Sequence, residues 1–119
     1  MSGKLGRDEC ERYLESLAGL LERARLQRRT LTYLEAADAL AVPGPKRIHK
    51  TTRLLEILLA RDAEAGQPLR AALVISRTGR GLPGKGFFDH AQRLGLHDGR
   101  DPAGFHARLL AELFAGDTG

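Results

Sequence analysis

At 119 residues and 13.0 kDa the chain has the length of one domain, and a composition of 42% hydrophobic, 29% charged and 5% aromatic residues excludes the disordered, collagen-like and disulfide-scaffold classes. The formal net charge of +4 points to anionic partners. No apolar run approaches the roughly 18 residues of a membrane span and the first ten residues lack the apolar stretch of a signal peptide, so the expected location is the cytoplasm, with no membrane partner.

The first seven residues are expected to be disordered. From Asp8, the residues Cys10, Tyr13, Leu14, Leu17, Leu20, Leu21 and Ala24 recur at three- and four-residue intervals, which predicts an amphipathic helix running toward Arg28. Asp8 and Glu11 have the spacing of a capping box at its start. Thr30-Leu31-Thr32 is a short β-prone step. Thr32 and Glu35 repeat the capping spelling before a helix of about ten residues, with Leu34, Ala37 and Leu40 on its apolar face and a stop at Val42, before Pro43-Gly44-Pro45. Pro45 suits the first position of a helix over Lys46 to Ala65, ended by Gly66, in which Ile48, Thr52, Leu55 and Leu59 form the inner stripe and Lys46, Lys50 and Arg53 lie opposite. Leu69 to Ser76 reads as a short apolar strand, and Arg77 to Gly86, with four glycines and a proline, as a loop. Phe87 to Leu94 is a short helix stopped by Gly95. A last helix is capped by Asp101, starts at Pro102, turns Phe105, Leu109, Leu110, Leu113 and Phe114 inward and ends at Gly116.

The charge is not evenly spread along this order. Residues 43–60 carry four basic and one acidic side chain, as do residues 76–93, while 1–42 and 61–75 balance to zero and 94–119 are net acidic. The two basic segments are the second helix of a helix-turn-helix unit over about 33–65 and the glycine-rich loop behind a strand, which is the element order of a winged helix-turn-helix. The fold expected is therefore mainly α with a small β element, a single winged-helix-like domain over 1–119: a helical region at 8–66, a strand and wing-like loop at 69–88, and additional C-terminal helices at 87–116. DNA, with RNA as the other nucleic-acid option, is the expected partner. Phosphates supply most of the affinity, and base reading needs polar side chains in the first turns of the inserted helix. Lys46, Arg47, His49, Lys50, Thr51 and Arg53 have that placement, and Arg77, Arg80 and Lys85 would clamp the flanking backbone.

The run Thr30-Leu31-Thr32-Tyr33-Leu34-Glu35-Ala36-Ala37-Asp38-Ala39-Leu40, followed by a Pro-Gly turn and a basic helix, resembles the start of the DNA-binding winged-helix domain of alkylguanine alkyltransferases and alkyltransferase-like proteins, over residues 28–60. The resemblance implies DNA binding. It does not imply alkyl transfer, because that family's Pro-Cys-His-Arg stretch has no counterpart here and Cys10 lies in another element. The segment from Gln67 to Phe88 is similar to small bacterial and phage-borne proteins, which implies no mechanism.

The competing class is an interaction or adaptor module that docks an acidic protein partner through the same surface. Gly79-Arg80-Gly81-Leu82-Pro83-Gly84-Lys85-Gly86 spells the GxxxxGK of a phosphate-binding loop, a remote nucleotide-binding option, but Gly86 stands where Ser or Thr would hold magnesium. The tail also lacks the second parallel strand of a dinucleotide site. Four histidines without helical pair spacing and one cysteine offer no metal set. Ser16, Ser76 and Cys10 have no base beside them. No enzyme activity, metal or cofactor is expected, and Cys10, Phe87 and Phe88 are expected in the core. A DNA-binding protein of this kind would serve transcription regulation.

Overall fold

The computed structural model describes residues 6–78 and 80–115. The expectations for residues 1–5 and for a stop at Gly116 lie outside the described residues. The elements are α1 (Arg7–Leu26), β1 (Leu31–Thr32), α2 (Tyr33–Ala39), α3 (Arg47–Glu64), a 3₁₀ helix (Arg70–Leu73), β2 (Val74–Ile75), α4 (Lys85–Arg93) and α5 (Pro102–Ala115). The protein is mainly helical, with β1 and β2 pairing in parallel, Leu31 opposite Val74 and Thr32 opposite Ile75.

α1 buries Leu14, Leu17, Leu21 and Ala24 at helical spacing. Its start differs from the expected capping box. Gly6 is the cap, Arg7 is already helical, and Asp8 lies inside the first turn, where helical backbone geometry removes it from the capping position. Glu11 instead bonds Arg61 of α3, with Nη2 2.6 Å from Oε1; the guanidinium holds the Glu11 carboxyl below its ordinary pKa. The identical spelling at Thr32 and Glu35 does form the box, with Glu35 N donating to Thr32 Oγ1 (3.1 Å) and Thr32 N to Glu35 Oε1 (2.8 Å). α2 ends earlier than Val42, because Ala41 turns into the left-handed region and Val42 N donates back to Ala37 O. Its inner face is Ala36, Ala37 and Leu40, while Leu34 points outward.

The core lies between α1, α3, the 3₁₀ helix and α5, and is filled by Leu17, Leu21, Leu54, Leu59, Leu73 and Leu113. Two polar groups enter it. Asp62 is 1% exposed, its Oδ2 accepting from Arg70 N and Nε and its Oδ1 from Arg70 Nη2 at 2.7 Å; buried His106 donates from Nε2 to Ala72 O at 2.8 Å. These bonds explain why Leu69 to Ser76 is not one strand. Arg70, Ala71, Ala72 and Leu73 coil as 3₁₀, which buries Ala71, Ala72 and Leu73 in succession where a strand would alternate. Phe87 is buried and packs edge-on to Phe88 at 5.3 Å, so the aromatic pair anchors α4, and Cys10 is half-buried against the core.

Candidate nucleic-acid interface

α3 begins one residue later than expected. Pro45, joined to Gly44 by a cis peptide, precedes the helix, Lys46 is its cap with φ +61°, and Arg47 is the first helical residue. No side chain caps this end and its first turn holds no acid, so cations stand where the unpaired backbone N–H groups already concentrate positive potential.

The candidate residues of α3 separate into two groups. Lys46, His49 and Arg53 are exposed, at spacing that shares one face, and none of the three side chains has a hydrogen-bond or ion-pair partner among the described residues. Arg47 and Lys50 brace the turn before the helix: Arg47 Nε donates to Val42 O at 2.9 Å and its Nη2 meets Asp38 Oδ1 at 2.5 Å, while Lys50 Nζ donates to Pro43 O at 3.2 Å. Thr51 does not belong to the interface. It is 0% exposed, with Oγ1 donating to Arg47 O, so the expectation that it contacts bases is corrected. The expected inner stripe is also corrected at its start: Leu55 and Leu59 are buried, Thr52 half-buried, and Ile48 is 41% exposed. The buried face is instead Thr51, Leu54, Leu55, Leu58, Leu59 and Asp62, rotated from the expected stripe, which leaves Ile48 at its edge.

The glycine-rich loop leaves β2, which packs on α2, and is tied at both ends. Ser76 N donates to Leu82 O at 2.7 Å, and Gly84 N donates to the Tyr33 hydroxyl of α2 at 2.9 Å. Arg77 and Arg80 are exposed, with no side-chain partner among the described residues, and Arg80 has φ +55°. Lys85, also exposed, is not in the loop but is the first residue of α4. Burial raises the pKa of Tyr33, with the negative charge of Glu56 acting in the same direction and the Gly84 bond opposing. A Cβ on Gly86 would lie 4.0 Å from Glu56 Oε2, so α3 already presents a carboxylate to the first turn of α4. A nucleotide phosphate there would meet that charge and find the Gly84 N–H taken, which disfavours the phosphate-binding-loop option.

No family model matches the chain, and neither a curated protein nor a solved structure matches it. What it binds is thus to be argued from its own geometry and charge. A helix about 10–12 Å across matches a major groove about 12 Å wide. No described helix is long and apolar enough to cross a membrane, and no group of three His, Cys, Asp or Glu side chains gathers among the described residues. Sequence patterning missed Tyr33, Glu56 and the outward Ile48. Only Tyr33 carried a signal, a large aromatic directly after a cap.

Proposed function

We propose that the protein is a non-enzymatic binder of duplex DNA that sets the N-terminal end of α3 in the groove and lays the 76–84 loop, with Lys85, along flanking phosphates. The observation that carries this reading is the start of α3: an uncapped helix end with no acid, extended by the cations Lys46 and Arg53 and by His49, whose exposed side chains have no partner among the described residues. Phosphate oxygens supply both missing complements, acceptors for the first backbone N–H groups and charge for the cations. α2 packed on the small sheet and against α3, followed by a basic loop, supports a winged-helix-like reading. It departs from the usual pattern in two respects: β2 pairs in parallel with β1, and the connection 40–46 is longer than the roughly three- or four-residue turn of compact helix-turn-helix units. The likeness of residues 28–60 to alkyltransferase-like DNA-binding domains supports the same reading, and a role in transcription regulation would follow from sequence-dependent binding.

Fluorescence anisotropy with an arbitrary duplex at several salt concentrations tests it. With Lys46, Arg53, Arg77, Arg80 and Lys85 on phosphates, the slope of log affinity against log salt approaches about −4.5, at about 0.9 per contact. Lys46→Glu with Arg53→Glu should abolish binding while thermal stability holds, because both side chains are exposed and unpaired. Failure of the wild type to bind any duplex or RNA more tightly than about 10⁻⁴ M at low salt would overturn the proposal and favour an acidic protein partner.

A further inference from the structure

α5 has an outer face that the described residues leave to solvent. Its buried side is Phe105, His106, Leu109 and Leu113. Its exposed side is Ala103, Ala107 and Ala111, flanked by half-buried Leu110 and Phe114, and Arg108 and Glu112 are the only Lys, Arg, Asp or Glu among its 14 residues. α1, also a surface helix, sets Arg12, Glu15 and Arg23 on its exposed side, the ordinary pattern of a solvated face. A helix that is apolar nearly all round is one that packs on both sides. Arg108 and Glu112 stand four residues apart on one flank of this face, exposed, and neither side chain has a hydrogen-bond or ion-pair partner among the described residues. With Arg N-terminal to Glu, they are in the poorer order for pairing within one helix.

We infer that α5 is a self-association surface, its outer face packed antiparallel on the same face of a second copy of this chain. The charges select that partner. A twofold axis perpendicular to both helices brings the same flank of each together, so Arg108 of either copy meets Glu112 of the other, and one surface supplies both halves of two ion pairs. A parallel pair would set that flank against Leu110 and Phe114 instead. The surface is separate from the candidate nucleic-acid interface: the groove on this flank of α5 is bordered by Ala63 and Gly66 at the end of α3, about 25 Å of helix from Lys46, so pairing leaves both α3 starts exposed.

Sedimentation equilibrium of the full chain without nucleic acid tests it, at protein concentrations from about 10⁻⁶ to 10⁻³ M. One helix of about 21 Å buries less than the roughly 1,200 Å² at which stable interfaces begin, so the mean mass should rise with concentration from 13.0 kDa toward twice that value. Arg108→Glu and Glu112→Arg each turn both ion pairs repulsive, and either alone should weaken association about tenfold, in keeping with the modest worth of exposed pairs. An equimolar mixture of the two variants should associate as the wild type does, because each then supplies the charge the other lacks, and melting temperatures at low concentration should be unchanged. A wild type that stays at 13.0 kDa throughout overturns the inference. Dimers that both single variants leave intact also overturn it, placing the contact elsewhere, as does weakening with no recovery in the mixture, since Arg108 and Glu112 then do not meet across the pair. None of these outcomes bears on duplex binding.

Discussion

The two helices of the α2–α3 unit start in opposite ways. α2 begins with a complete capping box and Glu35 in its first turn, so its N–H groups and its dipole are answered within four residues of sequence. α3 begins on Lys46 in the left-handed region, with no side-chain cap and no acid in its first turn. Nothing in the fold requires the second arrangement, since glycine at position 46 would relieve the backbone and an acid would suit the dipole. The contrast teaches that the positions of basic residues mark a surface less well than the charges a fold leaves unanswered. At the far end of α3 the charges are answered: Arg61 meets Glu11, and Asp62 holds Arg70.

The largest expected effect comes from that far end. Asp62→Ala strips a buried acceptor from Arg70, whose side chain keeps 26% exposure, and should destabilise by about 3 kcal/mol in urea unfolding, at the lower end for a broken buried pair. The salt slope of the folded protein should not change. If it does, the two ends of α3 are not separate in role. Thr32→Ala should cost about 1 kcal/mol by thermal unfolding and likewise spare binding, because the α2 start is purely structural in this account.

Tyr33→Phe sharpens the comparison at the loop. Losing the acceptor for Gly84 N should destabilise by about 1 kcal/mol. The pH sign is fixed by burial. Tyr33 has its pKa raised above 10.0, so the folded state keeps the proton where the unfolded chain releases it, and the resulting stability is present below pH 10 and lost as pH rises beyond it. A pH series of melting temperatures should show a shallower alkaline decline in the phenylalanine variant. Lys85→Ala gives the smallest effect, a reduction of the salt slope by about 0.9 with equal weakening on unrelated duplexes.

What was legible in the sequence follows the range of the forces involved. The helices of α1, α3 and α5 and the Thr32–Glu35 box depend on neighbours three and four residues away, and periodicity located them. Asp8 and Glu11 have the same spelling as Thr32 and Glu35, yet Glu11 answers to Arg61, fifty residues distant, which no local pattern contains. The 3₁₀ helix was read as strand because Asp62 and His106, the polar groups that pin it, come from other elements. In the candidate interface, charge distribution singled out Lys46, Arg53, Arg77 and Arg80, which the structure leaves exposed. Thr51 is buried and Ile48 exposed because the buried face of α3 runs through Thr51, Leu54 and Leu58, an orientation set by tertiary packing and not by the sequence stripe.

The measurement that bears most directly on the unanswered helix start is Lys46→Gly, followed by both melting temperature and duplex affinity. Left-handed backbone costs a non-glycine residue about 1–2 kcal/mol, and glycine gives part of this back through its freer unfolded chain, so stability should rise by roughly 0.5–1 kcal/mol. Affinity should move the other way, with the salt slope reduced by about 0.9 as one phosphate contact is lost. A more stable protein that binds duplex less well is the predicted result. A variant with unchanged affinity and slope would contradict the account, showing Lys46 to be an ordinary solvated residue and the start of α3 no binding site.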